Sequence, residues 1–290
     1  MTLEYFIEPF QAPFMLKAMG MAALIGAVCA VLSCYLVLKG WSLMGDAVSH
    51  AILPGIVVAY VIGAPLALGA FAAGFLCAGS TGWIKNHSRL KEDTVMGVVF
   101  TGLFALGLVM FTKVQTDVHL NHVLFGNILG IEDHDLWQAI ACAGLTLVAV
   151  LILRKDLLLY LFDANQARVV GLNTTFLHYL LLAMLSATIV AALQAVGIIL
   201  TVAMLITPGC IAYMLTDRFD RMLLIATVSA IFSGVGGVYV SYIINGSPGA
   251  CIVLMQSLIF VLAMLFGPKY GIVAQRRQLK LGSAQGFEVR

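Results

Sequence analysis

Charge is spaced along this chain in a way that leaves little choice of fold. Between successive Asp, Glu, Lys and Arg residues lie uncharged runs of 21 residues (18–38), 38 (47–84), 19 (94–112), 18 (136–153), 48 (169–216) and 47 (222–268). A helix that crosses the hydrocarbon core of a bilayer needs about 20 residues. Runs of single length therefore read as one span each and runs of double length as helical hairpins. Tight turns are expected at Gly63-Ala64-Pro65 and at Asn245-Gly246-Ser247-Pro248-Gly249. The sum is nine spans, or eight if 47–84 contains a re-entrant piece.

Composition agrees. Of 290 residues 61% are hydrophobic and 10% charged, against roughly 25% charged in soluble domains. Mean hydropathy is +1.02, and 28 glycines suit helices that approach closely in lipid. The expected fold class is all-α, a polytopic membrane helical bundle. Collagen, disordered and disulfide-scaffold classes are excluded. A net charge of +2 gives no reason to expect nucleic acid as a partner. The six cysteines, Cys29, Cys34, Cys77, Cys142, Cys210 and Cys251, lie in apolar runs without a CxxC pair and read as small packing residues. Glu4 and Glu8 near the start, with no basic n-region, argue against a removable signal peptide.

Orientation follows from the Lys/Arg bias of the loops. One set of connections carries 14 basic residues, from Lys39 through Lys85, Arg154 and Arg218 to Arg290; the other carries only Lys17 and Lys113. With nine spans this puts the N-terminus outside and the C-terminus in the cytoplasm of a bacterial inner membrane. Residues 113–135 then form the largest outer loop, with His119, His122 and His134 among four acidic residues; a hydrated docking loop is a simpler reading of it than a metal collector. Residues 276–290 read as a flexible cytoplasmic tail after a membrane domain of residues 1–275.

Ionisable residues within spans are costly and point to function. In GWSLMGDAVSHAILPG, Asp46 and His50 are four apart, so on a helix both leave one face about 6 Å apart along the axis. A carboxylate and a neutral imidazole suit Mn, Fe or Zn; in a two-fold dimer with an axial pathway the pair doubles. The alternative is a helix cap at Asp46 and a carbonyl-bonded His50. Lys39, seven residues earlier, leaves open a position nearer the cytoplasmic interface than the midplane. Ser49 is expected either to orient His50 or to cap the helix. Pro54-Gly55 should loosen the helix and expose carbonyls along a pathway, and Thr207-Pro208-Gly209 has the same two readings, packing kink or hinge. Residues 162–172, polar at Asp163, Asn165, Gln166 and Arg168 with Gly171 as a helix stop, form either a solvated connector or a helix that docks on a cytoplasmic partner. No GxxxxGK[ST], HExxH or GxSxG motif occurs, so the chain is not expected to be an enzyme.

The stretch Leu43-Met44-Gly45-Asp46-Ala47-Val48-Ser49-His50-Ala51-Ile52-Leu53-Pro54-Gly55 resembles the hallmark segment of the membrane permeases of manganese, iron and zinc ABC importers. Phe162-Asp163 through Ala167-Arg168 and Gly171-Leu172 resembles that family's coupling segment, and Leu205-Ile206-Thr207-Pro208 through Ala212 its late Pro-containing helix. The resemblance runs over about residues 5–275 and departs only where a doubly basic segment is often found and here Lys39 stands alone. It implies a dimeric permease, of two copies or of one copy and a related permease. Two cytoplasmic ATPase subunits would carry the ATP, and an extracytoplasmic metal-binding protein would deliver the ion. Asp46 and His50 would contact that ion transiently, with Ser49, Pro54, Gly55 and Pro208 along the pathway or its hinges. Asp163, Asn165, Gln166, Ala167, Arg168 and Gly171 would couple to the ATPase. No permanently bound cofactor is implied. An ion-gradient-driven secondary transporter with Asp46 as proton carrier, a structural subunit, and an ABC permease for a chelated metal such as cobalamin or a siderophore are the rival readings.

Overall fold

The computed structural model describes residues 8–10, 12–114, 133–268 and 271. Among these residues it is built from helices and turns alone. In chain order the helices are α1 Pro13–Lys39, α2 Met44–Ala51, α3 Leu53–Ile62, α4 Leu66–His87, α5 Glu92–Lys113, α6 Asp133–Ile152, α7 Arg154–Phe162, α8 Ala164–Val169, α9 Thr174–Val196, α10 Ile198–Leu215, α11 Phe219–Ile244 and α12 Pro248–Phe266. Among the described residues eight segments are long and apolar enough to cross a membrane, with α2 and α3 counted together, or nine if the bent pair α6–α7 is one span.

The uncertainty in span number therefore lies elsewhere than expected. Residues 47–84 hold no re-entrant piece: α3 ends at Gly63 in the left-handed conformation (φ 70°), whose amide bonds the Tyr60 carbonyl. The ambiguity sits at Leu153, where α7 turns 69° away from the axis of α6. Arg154, Lys155 and Asp156 open α7 and favour leaving hydrocarbon for water. The Arg154 guanidinium meets the Asp220 carboxylate at the start of α11 (3.1 Å), which ties the bend to a neighbouring helix end. The other hairpin turns fall where Gly197 (φ 79°) joins α9 to α10 and where Asn245 (φ 55°) closes α11.

Lipid tails are as apolar as Leu, so helices gain by packing backbones together through small residues rather than by burying grease. The antiparallel pair α1 and α11 does so with Ala22 and Gly26 facing Gly234 and Ala230. A Cβ on Gly26 would lie 3.3 Å from the Ala230 carbonyl oxygen, and one on Gly234 3.1 Å from that of Ala22. About two turns further, the Cys34 thiol donates to the Met222 carbonyl (3.7 Å). Helices α3 and α4 cross through Gly55 with Ala59 and Gly69 with Ala73, where each glycine faces the other's carbonyl. Gly55 is thus a crossing point more than a loosened turn. All six cysteines are free, and Cys29, Cys34, Cys77 and Cys251 are buried, as the packing reading expects.

The outer loop expected at 113–135 lies largely outside the described residues, as does the tail 276–290. Helix α1, among the most buried of the spans, packs against α6, α9, α10 and α11; α5 and α12 are the least covered.

At Gly237 an added Cβ would stand 2.5 Å from Ile252 Cα and 2.7 Å from its nitrogen, backbone atoms that cannot step aside. Gly237→Val is therefore expected to destabilise by about 1–3 kcal/mol or more. Gly144→Ala, with nothing within 4 Å of the new carbon, is expected to be neutral. Thermal unfolding in mild detergent separates the two.

Candidate functional site

Asp46 lies in the first turn of α2 and His50 in its last. Their spacing brings His50 Nε2 to 3.5 Å from Asp46 Oδ1, with the two side chains 33% and 39% exposed. The rest of α2 is anchored: Gly45 rests on Leu205 of α10, and Val48 and Ile52 lie over Gly74 of α4. Only the face that carries the pair is left partly open. Its wall is aromatic, with the His50 ring edge-on to Phe104 at 5.6 Å and tilted against Phe100 at 6.3 Å, both on α5.

Neighbouring registers measure the depth of the pair. Leu205, opposite Gly45, is ten residues before the end of α10; Gly74, opposite Val48, is eleven before Lys85; Phe104, opposite His50, is nine before Lys113. At about 1.5 Å per residue each is about 13–17 Å from its helix end. The pair therefore sits midway along the bundle, deeper than its seven-residue distance from Lys39 suggests, because the turn at Trp41–Leu43 folds the chain back inward before α2 begins. Trp41 is buried and packs edge-on against His178 of α9.

Ser49 neither orients His50 nor caps the helix. It is buried and its hydroxyl donates to the Gly45 carbonyl (2.7 Å), a back-bond that tends to bend helices. Pro54 opens α3 and has no amide hydrogen for the His50 carbonyl. The break is clamped from α5, where a Cβ on Gly107 would lie 2.7 Å from Pro54 N and Cδ. Pro208 lies inside α10, and its interruption is bridged from α1. The Ser33 hydroxyl accepts from the Gly209 amide (3.0 Å) and donates to the Ile206 carbonyl (3.1 Å).

At the opposite end from the turn at Gly63, Asp163 caps α8, its Oδ1 accepting from the amides of Asn165 and Gln166 at 2.9 Å each. Ala167 is fully buried, while Asn165, Gln166 and Arg168 are exposed. Gly171, at φ 91°, ends the helix as expected, with its amide on the Arg168 carbonyl and that of Leu172 on Ala167. Val169, Val170 and Phe162 stand 86%, 65% and 70% exposed around it. An apolar rim on a capped helix beyond the spans is suited to docking.

Chemically the site offers one carboxylate and one imidazole, and no cluster of three or more His, Cys, Asp or Glu occurs among the described residues. Residues 46 and 50 come together as their spacing predicts, while His119 and His122 lie outside the described residues. Ser33, Phe100, Phe104 and Gly107 were not singled out in the sequence. Only Phe100 and Phe104, four apart in an apolar run, carry a readable signal.

A multi-span helical bundle with a central pair of potential metal ligands and a capped helix at one end suits a membrane permease. The chain belongs to the ABC 3 transport family, whose profile matches residues 11–267. It is 56% identical over 266 residues to the chelated iron transport system membrane protein YfeD of Yersinia pestis, covering 92% of this chain and 90% of that one. It is 51% identical over 279 residues to the manganese transport system membrane protein MntB of Synechocystis, covering 96% and 91%. The structure of PsaBC from Streptococcus pneumoniae in complex with Fab superposes with a TM-score of 0.84 at 34% identity, over 97% of this chain and all of that one.

Ser33→Ala would leave the buried Gly209 amide without its acceptor at the Pro208 break. The expected cost is about 1–3 kcal/mol, seen as earlier thermal unfolding, with Ser33→Thr recovering part of the loss.

Proposed function

We propose that this chain is the permease of an ATP-driven importer that carries a divalent transition-metal ion, manganese or iron, into the bacterial cytoplasm. The observation that carries the proposal is the Asp46–His50 pair, half-exposed and midway along the bundle. Carboxylate and neutral imidazole suit such ions, and neither is the soft thiolate that copper(I) prefers. Names of similar proteins mention manganese and iron, which supports these two ahead of zinc.

Two ligands per copy hold an ion weakly. Paired across a two-fold axis, the permease would offer two Asp and two His, enough to replace part of the hydration shell without trapping the cargo, since transport needs release as much as binding. An ionised Asp at the centre of a span costs about 2.5–3.5 kcal/mol on insertion scales, and a passing cation offsets part of that. The Phe100–Phe104 wall keeps the pair from being flooded by a wide aqueous path, which favours a bare ion over a chelate.

ATP binding and hydrolysis belong to two copies of a cytoplasmic partner seated on residues 162–172. Asp163 holds the helix in shape, and Asn165, Gln166 and the exposed Val169–Val170 rim form the contact. An extracytoplasmic metal-binding protein would deliver the ion on the other face. In this reading α8 and the C-terminus face the cytoplasm and the N-terminus lies outside, an orientation that the excess of Lys and Arg in one set of connections supports. Transport then follows from two conformations, outward-open and inward-open, whose balance the ATPase shifts.

The test is uptake of radioactive manganese, with iron and zinc as competitors, by cells that express the permease, ATPase and binding protein. Asp46→Ala and His50→Ala are each expected to abolish uptake at matched membrane abundance while the ATPase still co-purifies; undiminished uptake in both would return the pair to a structural role. Val169→Asp is expected to release the ATPase without changing the fold, as read by co-purification.

A further inference from the structure

Beyond the ion path, the end of the bundle that carries α8 holds a cavity of about 290 Å³. Three cations from distant parts of the chain meet there: Lys39 at the end of α1, Lys85 near the end of α4, and Arg168 on α8. Among the described residues no acidic side chain lines it. Lys39 Nζ stands 4.5 Å from the centre of the Tyr160 ring, and Arg168 Nε donates to Thr174 Oγ1 (3.1 Å), so the basic groups are positioned rather than splayed into solvent. Thr174 and Thr175 bring to the wall the N-terminus of α9, a 23-residue helix, whose dipole also favours an anion.

The cavity adjoins an exposed apolar stripe. Trp83, on its lining, is 61% exposed and continues a row on α4 with Leu76 (66%) and Leu68 (63%). The row is apolar along the span and ends in an indole beside the cations, the arrangement of an interfacial aromatic next to headgroups. A soluble anion would have no use for that stripe, whereas acyl chains would lie along it.

We propose that this cavity binds the phosphate headgroup of an anionic phospholipid of the cytoplasmic leaflet, with its acyl chains against the Leu68–Leu76–Trp83 face. Basic pockets between spanning helices on the cytoplasmic side suit such headgroups. The site joins the ends of α1 and α4 to α8 and the start of α9, so an occupied site links the spanning helices to the segment on which the ATPase is proposed to sit. The leaflet assignment rests on the orientation proposed above.

The permease–ATPase complex is to be purified as wild type, as the double variant Lys39→Gln/Lys85→Gln and as the conservative Lys39→Arg/Lys85→Arg, then placed in phosphatidylcholine vesicles with or without phosphatidylglycerol. Native mass spectrometry counts retained lipid, and ATP hydrolysis is followed in parallel. Wild type and the arginine variant are expected to retain phosphatidylglycerol and to hydrolyse ATP faster in its presence. The glutamine variant is expected to bind that lipid roughly 10–30-fold more weakly and to lose the stimulation while still holding its ATPase. Three results would each overturn the proposal. These are equal lipid retention by the glutamine variant, release of the ATPase with lipid retention intact (a protein-docking pocket), and full stimulation by inorganic phosphate in phosphatidylcholine alone. Asp46→Ala is expected to retain lipid like wild type, so failure of the metal reading leaves this result standing.

Discussion

A peptide group in hydrocarbon has no water to bond when its helical partner is missing, so each interruption of a spanning helix has to be satisfied or covered from within the protein. This chain interrupts its helices at Pro54 and at Pro208. Both breaks are enclosed by a neighbouring helix, and the arrangement around the candidate site follows from how. At Pro208 a hydroxyl from α1 takes over the Gly209 amide and the Ile206 carbonyl. At Pro54 the proline ring is pressed into the bare backbone at Gly107 of α5. Enclosing the second break draws α5 against α2, and Phe104, three residues before Gly107, then meets His50.

Such close approaches are possible only because the contacts are small. Where α1 meets α11 and α3 meets α4, glycine and alanine face each other at the close approaches, and dispersion between backbones replaces the hydrophobic drive that a soluble core would use. A bundle assembled this way is tight where small residues face each other and open where they do not. The open face of α2, which carries Asp46 and His50, lies between tight contacts at Gly45, Val48 and Gly107. The pair is held in place by residues that make no chemistry themselves.

Much of this was legible in the sequence, and what was not has a physical reason. Uncharged run lengths located the spans because charge is expensive in lipid, and the turns at Gly63 and Asn245 announced themselves as Gly/Pro clusters. The i,i+4 spacing placed Asp46 and His50 together because it is a local property of a helix. Gly171 ended α8 for the same local reason. Depth stayed open because sequence distance from Lys39 does not register the reversal at Trp41–Leu43. Ser33 was invisible, since its hydroxyl acts on a helix 173 residues away and serine in a span carries no label of its own. Ser49 shows the converse: a polar residue beside the pair drew attention, yet it bonds only its own helix.

The two breaks and the pair also belong to one contact. Leu205 of α10 rests on Gly45, the residue before Asp46, and Pro208 lies one turn beyond Leu205; on the other side His50 is followed one turn later by Pro54. A helix without these interruptions would resist a change of angle along its whole hydrogen-bond ladder. Here the ladder is already open on both sides of the site, and the two breaks are braced by Ser33 of α1 and by Gly107 of α5. The segment that bears Asp46 and His50 is therefore bounded by two places where a change of helix direction breaks fewer backbone bonds than it would in an uninterrupted helix.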